Sequence, residues 1–192
     1  SKASFYFLYK SLSGSTGLSP LHRAGWVFLM IGHSGLSTEN EFSIETEEDL
    51  IRSFRLADQK KLIIPSGLDY PLRVRSYLTW RESSGVYTYL VFKMPNWDLP
   101  RGVAFKKTAS GDFPGGLCSW CHSYGTSEDI SLLSVAMDVN VSKAYLLCAD
   151  ISCLEKIEET SARQGKDPGK NIEELYFRMS KLFEGISQYK AE

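Results

Sequence analysis

The chain is poor in most of what enzymes of 192 residues rely on. It has three histidines, His22, His33 and His122, too few and too scattered to form a Ser–His–Asp arrangement except by accident. It has no glycine-rich dinucleotide loop, no phosphate loop, no H-E-x-x-H and no G-x-S-x-G. The adjacent carboxylates Glu158–Glu159 and Glu173–Glu174 read as solvated helix faces. An enzyme is not expected. Long apolar runs are missing too: the longest, Trp26–Ile31, falls far short of the ~20 residues that cross a bilayer. No A-x-A-like cleavage site follows the aromatic cluster at Phe5–Tyr9, so a secretory leader is not expected. A formal net charge of −1 provides no global field for a membrane surface or for DNA.

Charge is nonetheless uneven. Between Arg52 and Glu82, seven basic residues (Arg52, Arg55, Lys60, Lys61, Arg73, Arg75, Arg81) face three acidic ones. This stretch is either a solvated face or a local patch for an acidic partner such as RNA. A hydrophobic content of 43% is enough for the core of one domain with a small appendage.

Cysteine is scarce, and its placement organises the chain. The four cysteines form two close pairs, Cys118-Ser-Trp-Cys121 and Cys148-Ala-Asp-Ile-Ser-Cys153, 26 residues apart. Two such pairs supply the two edges of a tetrahedron around one zinc ion. With four thiolates the coordination sphere is closed, so the zinc is structural. Disulfides would need an oxidising compartment that nothing else suggests, and a cytoplasmic location is expected. His122 beside Cys121 is read as a satisfied or exposed histidine rather than a ligand. Gly115-Gly116 lets the chain bend into the first pair. Cys148 is expected to end a strand, with Asp150 capping a helix whose first turn holds Cys153, where unpaired amides and the helix dipole favour a thiolate.

The rest is read as α+β: an antiparallel sheet of about five strands with flanking helices and a short N-terminal appendage. Residues 1–41 form that appendage, with a helix start at Ser19-Pro20 or a buried strand over the apolar run. Residues 42–192 form the α+β domain. Thr46 caps a helix running to near Lys60. Alternation predicts a strand over Leu72–Trp80, a turn at Glu82–Gly85, and further strands at Val86–Met94, Val103–Lys107, Ile130–Met137 and Ala144–Leu147. Asn171 starts a closing helix with the apolar stripe Ile172, Leu175, Met179, Leu182 and Ile186.

Three segments together, Ser76-Tyr-Leu-Thr-Trp80, Gly116-Leu-Cys-Ser-Trp-Cys121 and Cys148-Ala-Asp-Ile-Ser-Cys153, resemble the elongation-factor-G-binding proteins, which include the FusB-type fusidic-acid-resistance proteins. The similarity covers roughly Phe42 to Gln188. It implies a four-cysteine treble clef on an antiparallel sheet. It also implies a non-catalytic activity: binding elongation factor G and promoting its release from stalled ribosomes. The family's contact surface uses an apolar residue before the first cysteine, a lysine and an aromatic before the third, and an aromatic in the last helix. Here those positions fall at Leu117, Lys143, Leu146 with Tyr145 beside it, and Phe183 with Tyr176 as rival. Leu117 and Leu146 stand where the family uses aromatics, and Thr79 replaces a glycine common before the tryptophan. The N-terminal region, about forty residues, is shorter than the helical bundle that the resistance proteins carry. Trp120, between two ligands, is either an exposed anchor or packed on the domain. Lys143 and Tyr145 share a strand face by alternation. The ribosome is a further expected partner, and the alternative function is a zinc-finger module that binds RNA or the ribosome.

Overall fold

The computed structural model describes residues 40–108, 114–186 and Tyr189. The expectations for Ser19-Pro20 and the apolar run lie outside the described residues. Strand β1 (Phe42–Ile44) pairs antiparallel with β2 (Leu72–Val74). Between them Thr46 caps α1 (Glu47–Arg52), its hydroxyl accepting from the Asp49 amide, with three acidic residues in the first turn.

The single helix expected from Thr46 to Lys60 is broken. After Arg52 the chain leaves the helix, Phe54 bridges to Gly102, and α2 (Leu56–Gln59) follows. Tertiary contacts outweigh local propensity here. The Ser53 carbonyl accepts the Gly102 amide at 2.7 Å. The Phe54 ring lies so close over Gly102 that a Cβ there would sit 2.8 Å from it. Arg55 turns inward to a buried pair with Asp58 and donates to the Ala136 carbonyl.

The strand expected over Leu72–Trp80 is likewise two strands. β2 ends at Val74, and β3 (Tyr77–Arg81) joins a five-stranded antiparallel sheet. Its other members are β4 (Tyr87–Phe92), β5 (Arg101–Lys107), β8 (Ile130–Asp138) and β9 (Val141–Cys148), in the order β3-β4-β5-β8-β9. A separate two-stranded hairpin, β6 (Gly116–Leu117) with β7 (Tyr124–Gly125), carries the first cysteine pair. The α+β class and the five-stranded sheet are as expected. β8 and β9 run beyond the predicted ranges towards a tip at Val139–Asn140.

Both faces of this sheet are covered, which is why Tyr77, Leu78, Thr79 and Trp80 are all buried. On one face Leu78, Trp80, Tyr89, Val91 and Ala104 pack against Leu50, Phe54 and the β1–β2 pair. Trp80 stacks on Tyr89 with 5.0 Å between ring centres and donates its indole N–H to the Ile63 carbonyl. On the other face Tyr77, Leu90, Phe92, Val103 and Phe105 pack against the cysteine cluster, α3 (Cys153–Gln164) and α4 (Gly169–Gly185). The apolar stripe of α4 is buried as its spacing predicts. Its start differs: Pro168, not Asn171, holds the cap position, and no side chain caps it. The Pro168 carbonyl accepts the first helical bond, from the Ile172 amide. Proline's fixed φ suits that position, so the helix opens two residues before Asn171.

Candidate metal centre

The knuckle begins where Gly115, at φ +103°, passes so close to the Gly125 carbonyl that a Cβ would sit 2.2 Å from it. β6 then delivers Cys118. The Ser123 carbonyl accepts the Cys118 amide, the Cys118 carbonyl accepts the His122 amide, and the Trp120 amide points at the Cys118 sulfur at 3.4 Å. These bonds close a tight turn, and His122 completes it in the left-handed region at φ +59°. That backbone role is where the structure places His122; it is not one of the clustered ligands.

The second pair comes from β9, which ends at Cys148, and from the first residue of α3, Cys153. Asp150 does not cap α3. Ser152 holds that position, and Asp150 Oδ1 accepts the Ser152 amide and hydroxyl one turn earlier. The cause is the left-handed Ile151, at φ +59°, which shifts the helix start by two residues.

The four sulfurs lie within 4.8 Å of one another. Cys118 Sγ is 3.7 Å from Cys153 Sγ, and Cys121 Sγ is 3.6 Å from Cys148 Sγ. A tetrahedron with bonds of about 2.3 Å has sulfurs about 3.8 Å apart, so the donor set fits one zinc ion. Packed this closely, the thiols cannot ionise independently. Hydrogen bonds from Cys118, then Cys148 and Cys153, pull Cys121 far below the usual thiol range. The same contacts with Cys118, Cys121 and Cys148, together with burial, push Cys153 well above it. A divalent cation at the centre lets all four be thiolates. Burial works against the Lys156 ammonium, but Cys148, Asp150 and Cys121 together outweigh it and raise its pKa, so the site carries its own counter-charge.

Three side chains of the sheet reach the Cys148–Cys153 linker. The Tyr77 hydroxyl donates to the Ile151 carbonyl at 2.8 Å and accepts the Leu154 amide at 3.1 Å. Thr88 Oγ1 donates to the Ala149 carbonyl at 3.0 Å, and Thr79 Oγ1, bonded chiefly to Tyr89, lies 3.4 Å from the Asp150 carbonyl. Burial lifts the Tyr77 phenol well above its ordinary pKa, so it remains a neutral donor.

Of the residues expected at a partner surface, four are accessible and two are not. Lys143 is exposed on β9, with Nζ 5.0 Å from the Tyr145 ring centre. Tyr145 and Leu146 are half-buried, and the Leu146 carbonyl accepts the Ser119 amide, which fixes the knuckle to β9. Leu117 is 51% exposed. Trp120 is not an exposed anchor: it is 2% exposed, edge-on to Phe105, because its ring fills the space between knuckle and sheet. Phe183 has no exposed surface. It packs among Phe92, Trp97 and Tyr189, while Phe177 is exposed on the outer side of α4. Neither buried ring offers a free face to a partner. Arg55 leaves the basic patch for the same reason, being buried against Asp58.

Sequence reasoning passed over Tyr124. It is 78% exposed and stands directly opposite Leu117 in the β6–β7 ladder. The period-2 reading that finds long strands is blind to a two-residue ladder; the signal was the glycine pair before Cys118 and Gly125 after Tyr124.

A closed four-thiolate centre built from a knuckle and a strand-end, helix-start pair defines a treble-clef zinc finger. The chain belongs to the FBP C-terminal treble-clef zinc-finger family, whose model matches residues 49–187. No curated protein and no solved structure matches it. No helix among the described residues is long and apolar enough to cross a membrane.

Proposed function

We propose that this protein is a non-catalytic binding protein for elongation factor G that promotes release of the factor from stalled ribosomes. The zinc centre is structural in this reading: it fixes the knuckle against β9 and leaves no open coordination position for chemistry. The observation that carries the reading is the exposed pair Leu117 and Tyr124 on the knuckle, bonded through Ser119 to the β9 strand that bears Lys143 and Tyr145. Leu117 stands where the family uses an aromatic, and Tyr124 supplies an aromatic directly across the ladder. Promoting release requires a higher affinity for the released conformation of the factor than for the ribosome-held one.

The test is a titration of zinc-loaded protein with purified elongation factor G, repeated with ribosomal RNA as competitor. Tyr124→Ala and the double change Lys143→Ala/Tyr145→Ala are each expected to weaken binding about tenfold or more, as loss of a buried anchor does. Salt-sensitive binding to RNA, with none to the factor, overturns the proposal and supports the RNA-binding alternative.

A further inference from the structure

The Cys148–Cys153 linker is held in a conformation that its own sequence disfavours. Ile151 is β-branched, fully buried and left-handed, a backbone conformation that is sterically costly for any residue with a branched Cβ. Its amide reaches back to the Cys148 carbonyl at 3.0 Å, closing a turn that brings Cys153 round to Cys148. The turn is local, but its stabilisation is not. Tyr77 and Thr88 lie on β3 and β4, more than sixty residues earlier, and their hydroxyls reach the carbonyls of Ile151 and Ala149. Tyr77 also accepts the Leu154 amide, so one phenolic oxygen grips the residues on both sides of Cys153.

We infer that Tyr77 and Thr88 are positioning residues of the metal centre: their hydroxyls hold the strained linker so that Cys148 and Cys153 meet the knuckle at zinc geometry. Their hydroxyls bond backbone groups of the linker and its helix start, at Ile151, Leu154 and Ala149. They act on the backbone that carries the ligands, as outer-shell partners do elsewhere, and their loss is felt in metal affinity. The inference goes beyond the partner-binding proposal and stands or falls separately from it. It also accounts for Thr79, whose hydroxyl spans the Tyr89 and Asp150 carbonyls between the other two. At that position a glycine would have no donor.

The experiment uses the full chain and measures zinc affinity by competition with a chelator, together with the d–d absorption of the cobalt-substituted protein. The variants are Tyr77→Phe, Thr88→Val and Thr88→Ser, with Trp80→Phe as control. Trp80 lies on the opposite face of β3 and loses its bond to Ile63, which destabilises the domain without touching the linker. Tyr77→Phe is expected to weaken zinc binding about tenfold or more and to alter the cobalt bands. Thr88→Val is expected to follow in the same direction, and Thr88→Ser, which keeps the hydroxyl, to bind as the parent does. Trp80→Phe is expected to leave the cobalt bands unchanged. A general packing role predicts a different result: identical cobalt spectra throughout, with Tyr77→Phe losing no more affinity than Trp80→Phe. That result overturns the inference. If Tyr77→Phe does not fold, the contrast between Thr88→Val and Thr88→Ser decides, since equal affinities there overturn it as well.

Discussion

Two non-glycine residues adopt the left-handed backbone among those described, and both sit beside a metal ligand: His122 after Cys121, and Ile151 two residues before Cys153. Strain at such positions persists only where its surroundings over-determine it. The exposed one is open to a simple change. His122→Gly is expected to raise stability by about 0.5–1 kcal/mol, because glycine adopts that φ without steric cost but gives back some entropy. Thermal unfolding of the zinc-loaded variant checks this; a lower midpoint would show the imidazole making a contact worth more than the strain. Glu155 is a second case. Burial first, then its acidic neighbours Glu158, Asp150 and Glu159, raise its carboxyl to about 7, and its Oε2 is buried with no partner. The folded state therefore binds this proton more tightly than the unfolded chain. The group carries no penalty below its unfolded value near 4.5, and its contribution to stability falls as pH rises through about 7. Glu155→Gln should accordingly be the more stable form at pH 8, by roughly 1 kcal/mol after allowance for solvent, with the gap narrowing towards pH 5. Parallel melting curves at the two pH values read it directly. The thiolates run the other way, since acid protonates zinc ligands, so the comparison must be between variants and not along one curve.

At the level of elements, sequence patterns predicted those parts whose cause is local. Thr46 caps its helix because the cap and the three acids that follow are adjacent in sequence. The closing-helix stripe and the two cysteine pairs were legible for the same reason: one turn of helix or one tight knuckle sets their spacing. What was not legible has long-range causes. The break between α1 and α2 comes from Gly102 and Ala136, some fifty to eighty residues away. The split between β2 and β3 comes from two cores claiming opposite sides of the Tyr77–Trp80 strand, while the Tyr176 hydroxyl of α4 takes the Ser76 side chain at the junction. The burial of Trp120 and Phe183 belongs here as well, because an aromatic in a motif looks the same whether it faces a partner or the core. The α1–α2 break can be tested through the ion pair inside it. Arg55 and Asp58 are almost completely buried, and Arg55 gives Asp58 Oδ2 two of its donors. Removing one partner leaves a buried charge unpaired, so Asp58→Ala is expected to cost about 3–5 kcal/mol in a denaturant titration. Asp58→Ala together with Arg55→Met should recover much of that loss.

For the whole molecule, the metal and the sheet are coupled through one core. The buried cysteines Cys118, Cys148 and Cys153 pack in the same cluster as Phe105, Leu147 and Leu175. Structural zinc contributes on the order of 10–16 kcal/mol, more than the net stability of most domains. Stripping it with a strong chelator is therefore expected to unfold the zinc-side core. Hydrogen exchange should rise first over residues 115–126 and 148–164, and later in β4, which is covered on both faces. Simultaneous exchange everywhere would mean that the two cores are one cooperative unit.

Closing one face of the sheet with zinc and helices and the other with the β1–β2 layer leaves β9 as an outer rail of the sheet. A bare strand edge invites a second copy to dock along it. Lys143 stands third along that strand, and an antiparallel copy centred there would set two ammonium groups face to face. A lysine at that position therefore works against pairing with a second copy along this edge.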